Sequence, residues 1–332
     1  MRARLAHRAV LALVGVAALA LVSSELRGQR LERAPCSLAV MLADLRGALK
    51  DGSPALQKYM RTLLKEGALR LPAEELRAAF AAERDPEVLE ALGVALATKA
   101  SNAGQPAMIG SILERARGES DPALRAAALR GLRGVGSVEM MAKTRGPTYA
   151  DFARDPSPEV REAAADNLIH ESAQVYFGHE GAVSDAAVDA AAASPDPAVA
   201  ARLLSGTSME QAGAGAVATL IARLGAPEAE VRAAAARALG GVPAARAEQA
   251  RRALTARYAG EPEWEVKVAI LEGLVQLGLG GARPLLESLR GVDPALGPEI
   301  DAWLQVLGMN LQEWSIILRE KRRLVSQEPI NR

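Results

Sequence analysis

The sequence predicts an all-α protein built as a right-handed α–α superhelix of about six to seven helix pairs. Three observations predict it. A short phrase beginning at an acid or alanine followed by proline recurs along the chain at intervals near 35 residues. Alanine, the best helix former, supplies about a fifth of the 332 residues, while aromatic residues make up only 3%. No alternating apolar pattern is long enough to read as a strand.

The phrase is clearest at Asp121-Pro122-Ala123-Leu124-Arg125, Asp155-Pro156-Ser157-Pro158-Glu159-Val160-Arg161, Ala226-Pro227-Glu228-Ala229-Glu230-Val231-Arg232 and Glu261-Pro262-Glu263-Trp264-Glu265-Val266-Lys267, with weaker copies at Asp85-Pro86 and Asp196-Pro197. The position after the apolar residue falls at 89, 125, 161, 200, 232 and 267, so the intervals are 36, 36, 39, 32 and 35. That drifting period marks a helical solenoid. Asp85, Asp121 and Asp196 are expected to cap the free N–H groups of a helix start, and the proline to occupy the first helical position, where a missing N–H costs nothing. Val88, Leu124, Val160, Val199, Val231 and Val266 are expected to face inward. Leu129 and Leu132, and Ala235, Ala238 and Leu239, continue that apolar stripe. Arg125, Arg161, Arg232 and Lys267 share one register, which predicts a ladder pairing with acids of the adjacent repeat.

Between these phrases, Pro106–Arg117, Ala182–Ala193, Ser208–Arg223, Ala244–Tyr258 and Ala282–Arg290 have helical apolar periodicity, so the unit is helix–turn–helix. The breaks 240–243 and 278–281 are rich in glycine and supply turns. Ser137–Asp151, with Met140, Met141, Thr144, Gly146 and Pro147, departs from the pattern, and a short or irregular helix that distorts the stack is expected there. Ser37–Lys50, Pro54–Glu66 and Pro72–Ala82 read as helices of a leading cap, and Pro294–Val325 as a closing cap.

These phrases resemble HEAT-like repeats, in particular the short type found in phycobilin lyases, over about Asp85–Gly291. The resemblance implies a fold and little about activity, because solenoids host many functions. The domain division is then 1–24 signal peptide or N-terminal anchor, 25–84 N-terminal helical cap, 85–291 repeats, and 292–332 C-terminal cap and tail.

The N-terminus reads as an address. Arg2, Arg4 and Arg8 precede the uninterrupted apolar stretch Ala9–Val22, and Ser23 and Ser24 follow. This matches a secretory signal peptide. Fourteen apolar residues are short for a bilayer span, which wants about 20. Val22 and Ser24 fit the cleavage positions before Glu25, with Ala18 and Ala20 as an alternative pair. Cys36, the single cysteine, lies too far past the apolar stretch and follows Arg33-Ala34-Pro35, which argues against a lipid anchor and for a free thiol. The whole chain has 40 basic and 40 acidic residues. Loss of residues 1–24 removes three arginines, leaving 37 against 40, or −3.

The composition excludes several classes. One cysteine and three histidines argue against a disulfide framework or a zinc centre. Charge balance argues against a nucleic-acid partner. The two histidines beyond the signal each precede a glutamate, His170-Glu171 and His179-Glu180, in a stretch with Tyr176 and Phe177. Deoxyhypusine hydroxylase, which is similar in fold, binds iron through His-Glu dyads set directly after Val-Arg. Here Val160-Arg161 is followed by Glu162-Ala163, and two dyads stand where four are needed. Phycobilin lyase activity would need an aromatic-lined pocket, and the sequence holds ten aromatic side chains. An alkylpurine DNA glycosylase would need a basic groove. Gly213-Ala214-Gly215 lacks the spacing of a phosphate loop and is read as easing a helix start. Arg319, Lys321, Arg322 and Arg323 form a basic cluster, read as a solvated last turn, with an anionic lipid or acidic partner as the alternative. Trp303 and Trp314 are expected to close the apolar end of the stack. Trp264 is either an exposed anchor or a side chain packed in its own repeat.

No catalytic, cofactor-binding or metal-binding residues are assigned, and no cofactor or small-molecule substrate is inferred. The expected function is a non-enzymatic scaffold or adaptor, exported to the periplasm or beyond, that binds a protein or peptide on the concave face made by the second helices. The alternatives are a metal- or cofactor-dependent enzyme using the 170–180 stretch, and an assembly factor tethered to the membrane by an uncleaved Ala9–Val22.

Overall fold

A computed structural model describes residues 37–174 and 180–327. The expectations for the signal segment 1–24, Cys36, Tyr176, Phe177 and His179 lie outside the described residues. Within them the chain is helical, with no strand. The described residues divide into two compact units, those up to Leu63 and those from Leu64 on.

In the first unit, α1 (Leu38–Asp51) opens on Ser37, whose hydroxyl accepts from the Val40 amide. It buries Leu38, Leu42, Leu45 and Ala48, one face at helical spacing. The unit boundary falls within α2 (Pro54–Ala68).

The second unit carries the repeats. Its elements are α3 (Ala73–Ala82), α4 (Pro86–Asn102), a 3₁₀ turn at Pro106–Ile109, α5 (Gly110–Gly118), α6 (Pro122–Arg130), α7 (Ser137–Thr144), α8 (Tyr149–Phe152), α9 (Pro158–Ser172), α10 (Glu180–Ala193), α11 (Pro197–Gly206), α12 (Ala214–Arg223), α13 (Ala229–Gly240), α14 (Ala244–Gly260), α15 (Trp264–Gly278), α16 (Arg283–Arg290), α17 (Gly297–Leu307) and α18 (Trp314–Gln327). The helices that follow the recurring phrase form one layer, each packed on the next in the order α4, α6, α9, α11, α13, α15. A second layer runs beside it, with α10 on α12 and α12 on α14. The core lies between the layers. Val88, Val160, Val199, Val231 and Val266 are at most 3% exposed, as the apolar stripe required. Alanines 126–128, 163–165 and 233–236 are buried with them, so neighbouring helices approach closely. The approach is tightest where glycines face each other. A Cβ on Gly131 would sit 2.7 Å from the Gly93 Cα, and one on Gly240 would sit 2.8 Å from the Gly273 Cα.

Asp85, Asp121 and Asp196 cap α4, α6 and α11 through their carboxylates, with proline at the first helical position. The other three copies depart from that expectation. Helices α9, α13 and α15 begin two residues after Pro156, Pro227 and Pro262, so these prolines precede the helix. The upstream acids turn to a different task. Asp155 accepts from the Ser157 amide at 2.8 Å and Glu261 from the Glu263 amide at 3.1 Å, and both carboxylates also receive a cation from the preceding repeat.

That cation is the predicted ladder. Arg125 reaches Asp155 at 2.9 Å, Arg161 reaches Asp196 at 3.1 Å, Arg232 reaches Glu261 at 2.8 Å and Lys267 reaches Asp293 at 2.6 Å. Each arginine also folds back on its own turn. Arg125 donates to the carbonyls of Glu119 and Ser120, Arg161 to those of Asp155 and Pro156, and Arg232 to those of Ala226 and Pro227. The rungs lie deeper than a surface ladder, with the Arg232–Glu261 side chains 8% and 0% exposed. One rung is missing in both halves at once, because Ala200 replaces the cation and Ala226 the acid.

Some helix limits differ from expectation. The helix expected over Ser208–Arg223 begins only at Ala214, because the Gly213 amide donates to Asp185 at 2.8 Å and Ser208–Gly213 forms the turn. The helix expected over Pro106–Arg117 opens as a 3₁₀ turn. The closing cap splits into α17 and α18 around Asn310, whose φ is 55°. There Trp303, fully buried, stacks on Trp314 with centroids 5.9 Å apart and planes 3° apart.

Candidate functional site

The repeat pattern is interrupted between Gly134 and Asp155. Gly134 and Gly136 take φ values of 77° and 68°, in the left-handed region that favours glycine. They turn the chain abruptly into α7, which is only eight residues long. Arg145 ends α7 with φ 55°, and a capping box of Thr148 and Asp151 starts the single turn α8. The short, irregular helix expected over Ser137–Asp151 is therefore present.

A buried polar network holds this segment to α9. The Glu171 carboxylate, 2% exposed, accepts from the Ser137 amide at 2.9 Å, the Val138 amide at 3.2 Å and the Ser137 hydroxyl. The Tyr149 hydroxyl lies 2.6 Å from the Ser137 Oγ, and Asn167 donates to Tyr149 at 3.3 Å and to the Leu129 carbonyl at 2.6 Å. The chain from Asn167 through the Tyr149 and Ser137 hydroxyls can donate stepwise toward Glu171, which caps the first turn of α7. Burial pushes the Glu171 carboxyl above its ordinary value, outweighing the hydrogen bonds that favour its ionised form. Burial likewise raises the Tyr149 phenol.

The structure thus takes the His170-Glu171 dyad apart. Glu171 points inward as a cap, while His170 is exposed beside Gly134, where an added Cβ would lie 3.4 Å from its Nε2. Among the described residues no group of three metal-ligating side chains forms.

Two clefts flank the irregular segment. One, of about 480 Å³, lies between the end of α4 and the start of α7, with Ser101, Gln105, Gly136 and Met140 in its walls and the Lys143–Glu139 ion pair on its rim. The other, of about 330 Å³, is lined by Arg117, Arg145, Gly146, Pro147, Asp151, Phe152 and Asp155.

The remaining sequence features separate clearly. Trp264 is 49% exposed, between the exposed Glu263 and Glu265, so it is not packed away in its repeat. The C-terminal basic cluster is mostly spent within the fold. Lys321 pairs with Glu299 and lies 5.2 Å over the Trp303 ring, and Arg319 and Arg323 pair with Glu320. Gly213 is the cap position of α12, consistent with easing a helix start. The exposed residues of α12 are small, among them Ala214, Gly215 and Ala218, whereas α14 adds Arg246, Glu248, Arg251 and Arg252 to its exposed alanines.

Residues 217–297, which run from within α12 to the start of α17, match the family described as HEAT repeats. The chain carries HEAT-like repeats. No curated protein matches it. In this HEAT-like protein the matched repeats hold the most buried rung, Arg232–Glu261, whereas both clefts lie in the repeats before them. Sequence reasoning marked Ser137–Asp151 as irregular but did not find the clefts. Arg117 and Arg145 are 28 positions apart, on different elements, and share no register.

Proposed function

We propose that this HEAT-like protein is an exported, non-enzymatic scaffold that holds a protein or peptide partner. The observation that carries the reading is the unbroken first layer, in which every helix from α4 to α15 packs on its successor and side-chain rungs tie most repeats to the next. Such a layer fixes the spacing of surface features over many repeats, which is what a scaffold requires. The basic n-region and the Ala9–Val22 stretch support export. No helix of the described residues is long and apolar enough to cross a membrane. The inward Glu171 argues against an enzyme built on the 170–180 stretch, because that carboxylate is committed to α7.

Affinity capture from the crosslinked envelope fraction tests the reading. One partner recovered in fixed proportion supports it. Recovery of the chain alone with a stoichiometric metal refutes it in favour of the enzyme. N-terminal sequencing of the same material tests the address, with a start near Glu25 expected and an intact Met1 or Arg2 pointing to a tether.

A further inference from the structure

We propose that the cleft between Arg117 and Arg145 is a carboxylate-binding site that takes an acidic side chain of the partner. The proposal rests on the scaffold reading and names the chemistry by which the scaffold recognises its peptide.

The cleft encloses about 330 Å³. Arg117 enters it from the last turn of α5, and Arg145 from the turn that joins α7 to α8. Among the described residues neither guanidinium has a hydrogen-bond or ion-pair partner. This sets them apart from the arginines of the ladder and from Arg115, Arg202 and Arg257, all of which are engaged within the fold.

Of the two acids in the cleft, Asp151 lies within the field of Arg117, but neither acid bonds to Arg117 or Arg145. Asp151 accepts from the Thr148 amide at 2.8 Å and the Thr148 hydroxyl at 3.0 Å, and its other oxygen faces Arg154 at 3.4 Å. These contacts hold its carboxyl below the ordinary value, the Thr148 amide bond contributing most and the charges of Arg154 and Arg117 least. Asp155 is taken by Arg125 at 2.9 Å and by the Ser157 amide at 2.8 Å. The aspartates are therefore bonded partners of the frame, and the guanidiniums retain their donors. A guanidinium offers five N–H donors in a planar fork that matches a carboxylate. Two forks facing one cavity suit a single inserted carboxylate, and the buried Phe152 offers an apolar wall to the methylenes of a glutamate.

The test uses the full mature chain and two labelled probes, a tetraglutamate with an amidated C-terminus and a tetraglutamine with a free one, read by fluorescence anisotropy at low salt. The tetraglutamate is expected to bind, and R117Q/R145Q to weaken it at least tenfold. The control R130Q/R246Q removes two exposed or half-exposed cations elsewhere on the repeats and is expected to change binding by less than twofold. Equal loss in both double variants would trace binding to net charge and overturn the site, as would no binding by wild type or no loss in R117Q/R145Q. Preferential binding of the tetraglutamine would overturn the side-chain assignment in favour of a terminal carboxylate. Circular dichroism checks that the variants fold. If R117Q/R145Q does not, R117K/R145K keeps the charge and loses the fork; at least threefold weakening is then expected, and unchanged binding overturns the proposal. A native partner captured equally by wild type and R117Q/R145Q would remove this site and leave the scaffold intact, whereas no partner captured by wild type would remove the scaffold reading itself.

Discussion

Replacing Glu261 by glutamine should cost about 3 kcal/mol at neutral pH, and the cost should shrink in acid. Glu261 is the most committed acid of the ladder. Its side chain is fully buried and accepts from Arg232 at 2.8 and 3.0 Å, from Arg257 at 2.6 and 2.8 Å and from the Glu263 amide. Burial opposes its charge, but the two guanidiniums win and hold the carboxyl at about 2, against an ordinary 4.5. At 1.36 kcal/mol per unit, that difference is worth about 3 kcal/mol. The folded-state value lies below the unfolded one, so this stability is complete above the unfolded value and fades as pH falls through the folded one. The same two values leave about 1 kcal/mol at pH 3. The assay is urea unfolding followed by far-UV circular dichroism, wild type against Glu261→Gln, from pH 3 to pH 8, with slopes compared as well as midpoints. A loss near 3 kcal/mol at pH 7 that falls toward 1 at pH 3 is expected. A loss under about 1 kcal/mol at pH 7, or one independent of pH, would refute the assignment of Glu261 as a buried, doubly paired rung.

Other expectations follow from the same packing. Val231→Asp should lower stability by several kcal/mol, because Val231 is 3% exposed between layers, whereas the exposed Glu228→Ala should cost under about 0.5 kcal/mol; equal urea midpoints would contradict the register. Gly273→Ala places a Cβ 2.5 Å from the Ala236 carbonyl oxygen and should destabilise by about 1–3 kcal/mol, while Gly215→Ala, with nothing within 4 Å, should stabilise by about 0.5–1 kcal/mol in thermal melts. Glu171 behaves oppositely to Glu261. Its folded-state value is raised, so its stabilising contribution is greatest in acid and is lost as pH rises through that value. The stability difference between wild type and Glu171→Gln should therefore shift against wild type as pH rises above the ordinary carboxyl value of 4.5, and a shift of the other sign would contradict the burial of this carboxylate.

The repeats were legible in the sequence because each residue type answered a local need. A side-chain oxygen was required at the starts of α4, α6 and α11, a branched apolar residue one turn later, and a cation in register after it. Asp121, Leu124 and Arg125 satisfy all three, and the structure places them accordingly. The acid that completes each rung was less legible, since it stands at the cap position in Asp196 but two residues before it in Asp155 and Glu261. His170 and Glu171 part company for a geometric reason. Adjacent helix residues diverge by about 100°, so neighbours in sequence face different surroundings. His170 meets solvent, and Glu171 meets the free amides of α7. The clefts were invisible for the opposite reason, because residues distant in sequence converge on them through turns that Gly134, Gly136 and Arg145 set with positive φ.

The central claim is that the stack exists to hold a partner, and the mass of the native complex tests it most directly. The chain has a mass of 34.8 kDa. Mass photometry of crosslinked native material should give a species heavier than the chain by one defined partner, in a proportion unchanged by dilution. A species at the mass of the chain alone, or multiples of that mass alone, would contradict the account.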